Sequence, residues 1–426
     1  MLRLIRFHIN KNKNLIKDNL SLFVTMFLAY IINYFFHFYV GRKLGPEDYG
    51  TFGVLLSIVY IVVMPLMAIQ TTLSKYVAEL YINNENQKLS YLFLSSLRKI
   101  GMLGIIISIL FIMISPLLSS FLKINAISPL IILGSSIMFA FLVPIIRGFL
   151  QGMQKFKLLG LTFIIESLSK IFIGIPLIFL GFGVNGAISG FALSFVLPLT
   201  LFAYFIKLGF FKERAIKFNT SQIYKYSFPV LVMLIALTGL YTWDVVLVKR
   251  FFNPIEAGQY AALSLFGKII FFATLSIGMV MFPKILELNS QNKTHLSLLF
   301  KSIMMALFLG ISASLVYLLI PKFIINMLFG PEYLIVSPLL WVFGIVMTIF
   351  SICYLISYYN IALHRIKFLY ILIFFNILEI LSITIFHNSL TQVVTTLIIV
   401  MVLLFFSLVV YTIKNDKNVN NSPGIQ

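Results

Sequence analysis

The sequence predicts an all-α polytopic membrane protein with about twelve transmembrane helices in two lobes of six. Three observations predict this class. Of the 426 residues 60% are hydrophobic, many apolar runs are long enough to cross a bilayer as helices, and one polar motif recurs in each half of the chain. Because the runs do not alternate between apolar and polar residues, a strand interpretation fails.

Clusters of glycine, proline, asparagine and charged residues divide the chain into twelve apolar segments. At 1.5 Å per residue most of them are about 30–40 Å long as helices, which suffices to cross a bilayer with some tilt. Their predicted limits are 20–41, 51–74, 93–119, 126–149, 158–181, 184–207, 225–249, 257–283, 297–321, 333–360, 368–387 and 391–413.

Lysine and arginine are concentrated on alternate connections. The N-terminus, the even-numbered connections and the C-terminal tail carry 24 of the 32 basic residues, whereas the odd-numbered connections carry 6. The positive-inside rule therefore predicts a multi-pass protein of the cytoplasmic membrane with both termini in the cytoplasm. Five regions follow: a basic cytoplasmic segment 1–19, an N-lobe 20–207, a basic linker 208–224, a C-lobe 225–413 and a polar tail 414–426.

The connections are too short to form a domain outside the membrane. The sequence contains no phosphate-binding loop, no zinc-type spacing and no catalytic triad, so it predicts a transporter without catalytic residues, metal or cofactor. The net charge of +19 is scattered over many short loops, which argues against a nucleic-acid partner.

A polar motif occurs at the first outer turn of each half. GRKLGPEDYG (41–50) and KRFFNPIEAGQY (249–260) place Pro46 and Gly50 each 208 residues before Pro254 and Gly258. Since each half has an even number of spans, the halves share one orientation, a parallel repeat typical of transporters. Two interpretations stay open: a turn that breaks one helix and caps the next, or contact of an anionic headgroup with the basic pairs Arg42, Lys43, Lys249 and Arg250.

Charged residues inside the spans indicate a cavity or a partner, because a charge in hydrocarbon is costly. Lys268 lies near the middle of span eight and Asp244 near the outer end of span seven, so Lys268 either pairs with Asp244 or binds a phosphate. Glu166 precedes Lys170 by four residues in span five, which favours an ion pair on one helix face, although Lys170 is also a candidate substrate ligand. Arg147 at the cytoplasmic end of span four is either a topology anchor or a headgroup contact.

Glu379 in span eleven has no lysine or arginine within four residues on its helix. Such a carboxylate suits proton coupling, or it is a structural acid that is protonated or hydrogen-bonded. Glu379, Glu166 and Asp244 are therefore the candidate residues for ion coupling or for structural pairing.

Five motifs follow one another along the chain: GRKLGPEDYGTFGVLLS (41–57), RGFLQGMQKFK (147–157), LGFGVNGAISG (180–190), PVLVMLIALTGLYTWDVVLVKRFFNPIEAGQYAAL (229–263) and LFGPEYLIVSPLL (328–340). Taken together and in this order, they resemble the polysaccharide exporters and oligosaccharide-lipid flippases of the multidrug/oligosaccharidyl-lipid/polysaccharide (MOP) superfamily. The resemblance implies two six-helix lobes in a V that opens alternately to each side, and a substrate linked to a lipid diphosphate. The chain departs from the family pattern at His364, where a glycine is frequent.

These observations predict a flippase that moves a polyprenyl-diphosphate oligosaccharide across the cytoplasmic membrane. Its expected partners are the lipid-linked anionic glycan, membrane lipid, and a glycan polymerase or glycosyltransferases. Two alternatives remain: an ion-coupled multidrug exporter of the same fold, which should have acids and aromatics but few cations in its cavity, and a non-transporting membrane scaffold for glycan assembly.

Overall fold

The computed structural model describes the backbone of residues 2–207, 209, 215–291 and 293–420. Parts of the predicted linker and tail, and the side chains of the predicted basic N-terminal segment, lie outside the described residues. The described chain is helical, without strands, and ten of its helices are long and apolar enough to cross a membrane. The predicted all-α membrane class is confirmed.

The first half of the chain, as far as it is described, begins with a very long helix and continues with shorter ones. The helices are α1 (Leu2–Val63), α2 (Met67–Ile82), α3 (Asn86–Phe121), α4 (Ser128–Gly152), α5 (Phe156–Ser169), α6 (Ile175–Leu177), α7 (Gly183–Leu193) and α8 (Phe202–Lys207). Short 3₁₀ segments lie at Met64–Leu66, after α1, and at Leu197–Leu201, before α8. Short π-helical segments lie at Lys170–Gly174, after α5, and at Ile178–Phe182, before α7.

The second half contains the remaining helices and a 3₁₀ segment at Pro331–Leu339. The helices are α9 (Ser221–Leu240), α10 (Trp243–Phe251), α11 (Pro254–Ser290), α12 (Leu296–Leu319), α13 (Pro321–Leu328), α14 (Leu340–Ala362), α15 (Phe368–Ile385) and α16 (Leu390–Asn420). Asn253 caps α11: its side chain accepts a hydrogen bond from the Glu256 amide at 2.9 Å, so the residue before the proline caps this helix and not the acid after it.

Two of the ten apolar stretches are long enough to cross a bilayer twice. Val24–Ile82 contains 59 residues and is broken at Gly45, whose φ of 76° and ψ of 176° no helix allows. Phe156–Leu201 contains 46 residues and is broken at Gly181, with φ 90°. Counting each of these stretches as two crossings gives the twelve spans that the sequence predicts.

Packing divides the chain into two compact units. The first comprises the residues up to Leu44 and Val62–Leu231; the second comprises Gly45–Ile61 and the residues from Val232 onward. Residues 45–61 therefore pack with the second half of the chain, although the chain on both sides of them packs with the first. The limits predicted for lobes and linker stay predictions.

Buried aromatic side chains form the core of each unit. In the first, the ring of Phe93 lies 4.9 Å from that of Phe149 and 5.0 Å from that of Phe205. In the second, the ring of Phe271 lies 4.9 Å from that of Phe350, which joins α11 to α14. These contacts fix the helices on which the charged residues lie.

Candidate functional site

The first unit contains a buried cluster of two cations and one acid. Arg147 on α4 contacts Glu166 on α5, with Nη2 2.6 Å from Oε2, and Lys170 Nζ lies 3.3 Å from Oε1 of the same carboxylate. Lys170 Nζ also donates to Asn33 Oδ1 at 2.9 Å, and Arg147 Nε donates to Thr162 Oγ1 at 3.0 Å. The two cations and one acid give the cluster a formal charge of +1 in a mostly apolar setting.

Aromatic rings lie against both cations. The Arg147 guanidinium lies 3.9 Å from the ring centroid of Phe163, and Lys170 Nζ lies 4.8 Å from that of Phe191 on α7. A ring face attracts a cation and excludes water at the same time. The rings therefore hold the two side chains in place without neutralising their charge.

Local geometry explains how Lys170 comes to face α7. Lys170 begins the π turn that follows α5, and a Cβ placed on Gly190 would lie 2.5 Å from the Gly174 Cα atom. This close approach, possible only between glycines, brings Phe191, the residue that follows the motif at 180–190, over the lysine. π turns of this kind frequently occur at functional sites.

Hydrogen-bond donors remain at the cluster. Among the described residues Nη1 of Arg147 makes no hydrogen bond, and Lys170 uses two of its three N–H groups. With a net positive charge and spare donors, the cluster can hold an anionic group with several oxygens, such as a phosphate.

The second unit contains a separate group of buried charges. Asp244, in the first turn of α10, accepts a hydrogen bond from the Tyr260 hydroxyl at 2.9 Å. Lys268 on α11 is 6% exposed, lies 5.7 Å from the ring centroid of Tyr241 and is influenced electrostatically by Asp244. Within the described part of the chain Lys268 makes neither a hydrogen bond nor a direct ion pair. Asp244 and Lys268 are thus neighbours without forming a salt bridge.

Glu379 on α15 is completely buried. Neither of its carboxylate oxygens has a hydrogen-bond partner among the described residues, and the same holds for Oδ1 of Asp244. The two acids act on each other electrostatically. Three residues before Glu379, the side chain of Asn376 donates to the carbonyl of Ala236 at 2.9 Å and thereby ties α15 to α9. Binding of a proton or a small cation between these two acids would reduce the repulsion between their carboxylates.

The four basic residues of the outer turns differ in their exposure. Arg42 and Lys43 are exposed, and Lys43 Nζ lies 5.9 Å from the ring centroid of Phe179. Lys249 is 3% exposed and donates to Thr51 Oγ1 at 3.1 Å, whereas its neighbour Arg250 is half-buried. The adjacent pair in the second half therefore does not present two equivalent cations to solvent.

Sequence reasoning missed several members of these groups. Asn33 and Thr162 carry no charge and stand within apolar runs, so nothing in the sequence marks them. Tyr260 ends the second copy of the repeated motif, but nothing in the sequence indicates that it contacts Asp244. The pairing of Arg147 with Glu166 could not be predicted from the sequence either, because the two residues are 19 positions apart on different helices, α4 and α5.

The sequence also did not predict a polar network of Arg365, Asp416, Tyr359 and His295 in the second unit. Arg365 directly follows His364, where the chain departs from the family pattern. Arg365 Nη2 lies 2.5 Å from Oδ1 of Asp416, and the Tyr359 hydroxyl lies 3.1 Å from Oδ2 of the same carboxylate and 2.8 Å from Nδ1 of His295. Burial lowers the pKa of His295 below its ordinary value of 6.5; Asp416 opposes this shift and Arg365 adds to it. His295 precedes α12, between two membrane spans.

Comparison with known proteins identifies the family. The family model described as "Polysaccharide biosynthesis protein" matches residues 15–289. No curated protein matches the sequence significantly.

Solved structures share the fold at low sequence identity. An inward-facing multidrug resistance MATE family transporter of the MOP superfamily is 14% identical, with a TM-score of 0.72 over 91% of this chain and 96% of that one. The lipid II flippase MurJ in an inward closed conformation is 18% identical, with a TM-score of 0.69 over 92% of this chain and 87% of that one. The eukaryotic MATE transporter AtDTX14 is 13% identical, with a TM-score of 0.67 over 93% and 96%. The chain belongs to the polysaccharide biosynthesis protein family, and its fold is that of the MOP-superfamily transporters and flippases.

Proposed function

We propose that this protein is a flippase that moves a glycan linked to a polyprenyl diphosphate across the cytoplasmic membrane by alternating access. The observation that carries the proposal is the cluster of Arg147, Lys170 and Glu166, which keeps an excess of positive charge inside a membrane-spanning bundle. An unbalanced charge at this depth is costly unless water or an anion compensates for it. A diphosphate is such an anion.

The chemistry of the cations suits a diphosphate. Guanidinium groups match phosphate oxygens with two parallel N–H groups, and a lysine adds a compact charge with rotatable donors. Lys268 in the second unit offers a further buried cation that no carboxylate contacts directly. The family match and the similar fold of a lipid II flippase support this substrate class.

We further propose that Glu379 and Asp244 provide ion coupling. Both are buried, both have carboxylate oxygens without a described hydrogen-bond partner, and each acts electrostatically on the other. Binding a proton or a small cation here would remove an unfavourable pair of charges. Coupling to an ion gradient would then give transport its direction.

A second candidate function is an ion-coupled multidrug exporter. The buried acids Asp244 and Glu379, which would attract a cationic drug, favour it, as does the similarity in fold to multidrug resistance transporters. The cations Arg147 and Lys170 argue against it, because they would repel such a substrate. Membrane scaffolding without transport remains a third interpretation, and the two charged clusters do not require it.

Two separate binding titrations distinguish the first two candidates. Purified protein in lipid nanodiscs would be titrated with a short-chain polyprenyl diphosphate and, separately, with the lipophilic cation tetraphenylphosphonium. We expect the diphosphate to bind and Arg147→Ala to weaken it at least about tenfold, the loss of one charge-assisted contact. The matched control Lys157→Ala removes an exposed cation close to the same helix ends and should leave binding unchanged. Tight binding of the cation alone would favour the drug exporter.

A further inference from the structure

The short helix α13 (Pro321–Leu328) connects two membrane spans of the second unit. α12 ends at Leu319, and the next apolar stretch long enough to cross a membrane begins at Pro331. Between α12 and α13 the backbone of Ile320 has φ −133° and ψ 44°, a pair of angles that no α-helix contains. α13 therefore does not continue the axis of α12, and it lies at one end of the spans that it connects.

The side chains of α13 form three different sides. Lys322 and Asn326, four residues apart, are exposed and polar. Phe323 and Met327 lie on the adjacent side, about 100° further round the helix, and are 63% and 61% exposed. Ile325 is buried within the second unit. The helix thus presents one polar and one apolar side outside the protein.

Aromatic packing at its C-terminal end holds α13 in place. Phe329, directly after the helix, is buried, and its ring centroid lies 5.1 Å from that of Tyr49, 5.5 Å from that of Phe266 and 5.0 Å from that of Tyr333. All these rings belong to the second unit. Rotating the helix to bury its apolar side would pull Ile325 and Phe329 out of this close-packed core. The apolar side is therefore held outward by the fold.

Exposed apolar residues continue on both sides of α13 along the chain. Leu319 at the end of α12 is exposed, as is Ile335 in the 3₁₀ segment Pro331–Leu339 that follows α13. α13 contacts both of these elements. A continuous exposed apolar surface indicates contact with a membrane or with another protein. Because this surface begins on a membrane span, lipid is the occupant that the continuity favours.

We propose that α13 is an interfacial anchor, lying in the plane of the membrane surface with Phe323 and Met327 among the acyl chains and Lys322 at the level of the headgroup phosphates. The apolar side of such a helix is buried about 5–10 Å into the boundary between headgroups and acyl chains. The long side chain of Lys322 can extend from there toward water. On the predicted topology the leaflet is the outer one. The anchor does not depend on which molecule the protein transports.

Spin labelling measures the surroundings of each side of α13. In a Cys353→Ala background, which removes the one cysteine, the variants Lys322→Cys, Phe323→Cys, Asn326→Cys and Met327→Cys would each carry a nitroxide in phosphatidylcholine nanodiscs. Power saturation then compares access of oxygen, which concentrates in lipid, with access of a water-soluble nickel chelate. We expect the ratio of oxygen to nickel access at positions 323 and 327 to be at least about fivefold higher than at 322 and 326.

Two further labels calibrate the extremes of this scale. Phe308, in the middle of α12, is exposed, so Phe308→Cys should give a higher ratio than any position on α13. Lys293, on the connection before α12, is exposed, so Lys293→Cys should give the value for water. If positions 323 and 327 match Lys293→Cys, the apolar side lies in water, where it would suit a protein partner, and the anchor is refuted. If they match Phe308→Cys, α13 lies inside the hydrocarbon and not at its boundary, which also refutes the proposal.

Photolabelling examines the same contact without any substitution. Wild-type protein would be reconstituted with a phosphatidylcholine that carries a diazirine near the headgroup end of one acyl chain, irradiated, and analysed by mass spectrometry. We expect adducts on Phe323 and Met327 but not on Asn326. Absence of adducts on Phe323 and Met327, while Leu319 is labelled, would contradict the anchor. Neither measurement contains a lipid-linked glycan, so each result is valid whether or not the protein moves one.

Discussion

Removing the Glu166 carboxylate is the sharpest test of the buried cluster. Glu166→Ala leaves two cations without an acid, and their side chains are only 12% (Arg147) and 6% (Lys170) exposed. Breaking a buried pair by deleting one partner costs about 3–5 kcal/mol, because a buried charge is left uncompensated. Thr162 and Phe163 still contact Arg147, so we expect a loss of about 3 kcal/mol in the free energy of unfolding.

Lys170→Ala should cost less. In that variant Glu166 keeps its 2.6 Å contact with Arg147, and we expect a loss of about 1–2 kcal/mol. Denaturant titration of the purified protein in detergent, followed by far-ultraviolet circular dichroism, measures both variants. Glu287→Ala is the control, because Glu287 pairs with Lys284 at 2.9 Å where both side chains are about half exposed, and it should cost less than about 1 kcal/mol. If Glu166→Ala is no more destabilising than Glu287→Ala, the cluster does not contain buried uncompensated charge and the reasoning fails.

Three further predictions concern topology, Lys268 and pH. A cysteine at Lys293 should be labelled only from the cytoplasm and one at Asn388 only from outside; labelling of both from one side would refute the predicted orientation. Lys268→Ala should abolish glycan export at a normal protein level, and Lys268→Arg should keep part of the export. Full export by the double variant Lys268→Met/Asp244→Asn would show that Lys268 is only a partner of Asp244. The pKa of His295 in the folded protein lies below its value of 6.5 in the unfolded chain, so the contribution of His295 to stability is complete above pH 6.5 and is lost as the pH falls from 6.5 toward the folded pKa. His295→Gln should therefore make the free energy of unfolding depend less on pH between pH 7.5 and 5.5. An unchanged slope would contradict this prediction.

Hydrophobic length and charge distribution explain why the class and the spans could be predicted. A bilayer requires about twenty apolar residues per helix, which is a constraint local in sequence. Gly45, Pro46 and Gly181 mark the turns. The ion pair of Glu166 with Lys170 was predicted for the same reason, since residues four apart share a helix face.

Contacts between distant helices could not be predicted. Arg147 and Glu166 meet only because α4 and α5 pack side by side, and Asn33 reaches Lys170 across 137 residues of chain. The contact of α1 with α11 depends on glycines that look in the sequence like ordinary turn residues. Their partners, Gly50 with Gly258, become evident only when the two copies of the repeat are seen in contact.

Flux in a defined membrane tests the central claim most directly. Purified protein would be reconstituted into vesicles that contain a fluorescent polyprenyl-diphosphate oligosaccharide, and its appearance in the opposite leaflet would be followed with an impermeant quencher. We predict that the wild-type protein and Lys157→Ala accelerate the movement. The double variant Arg147→Ala/Lys170→Ala should not, because it lacks both cations of the cluster. Movement at the wild-type rate in the double variant would contradict the role of the buried cluster, and no acceleration by the wild-type protein would contradict the flippase itself.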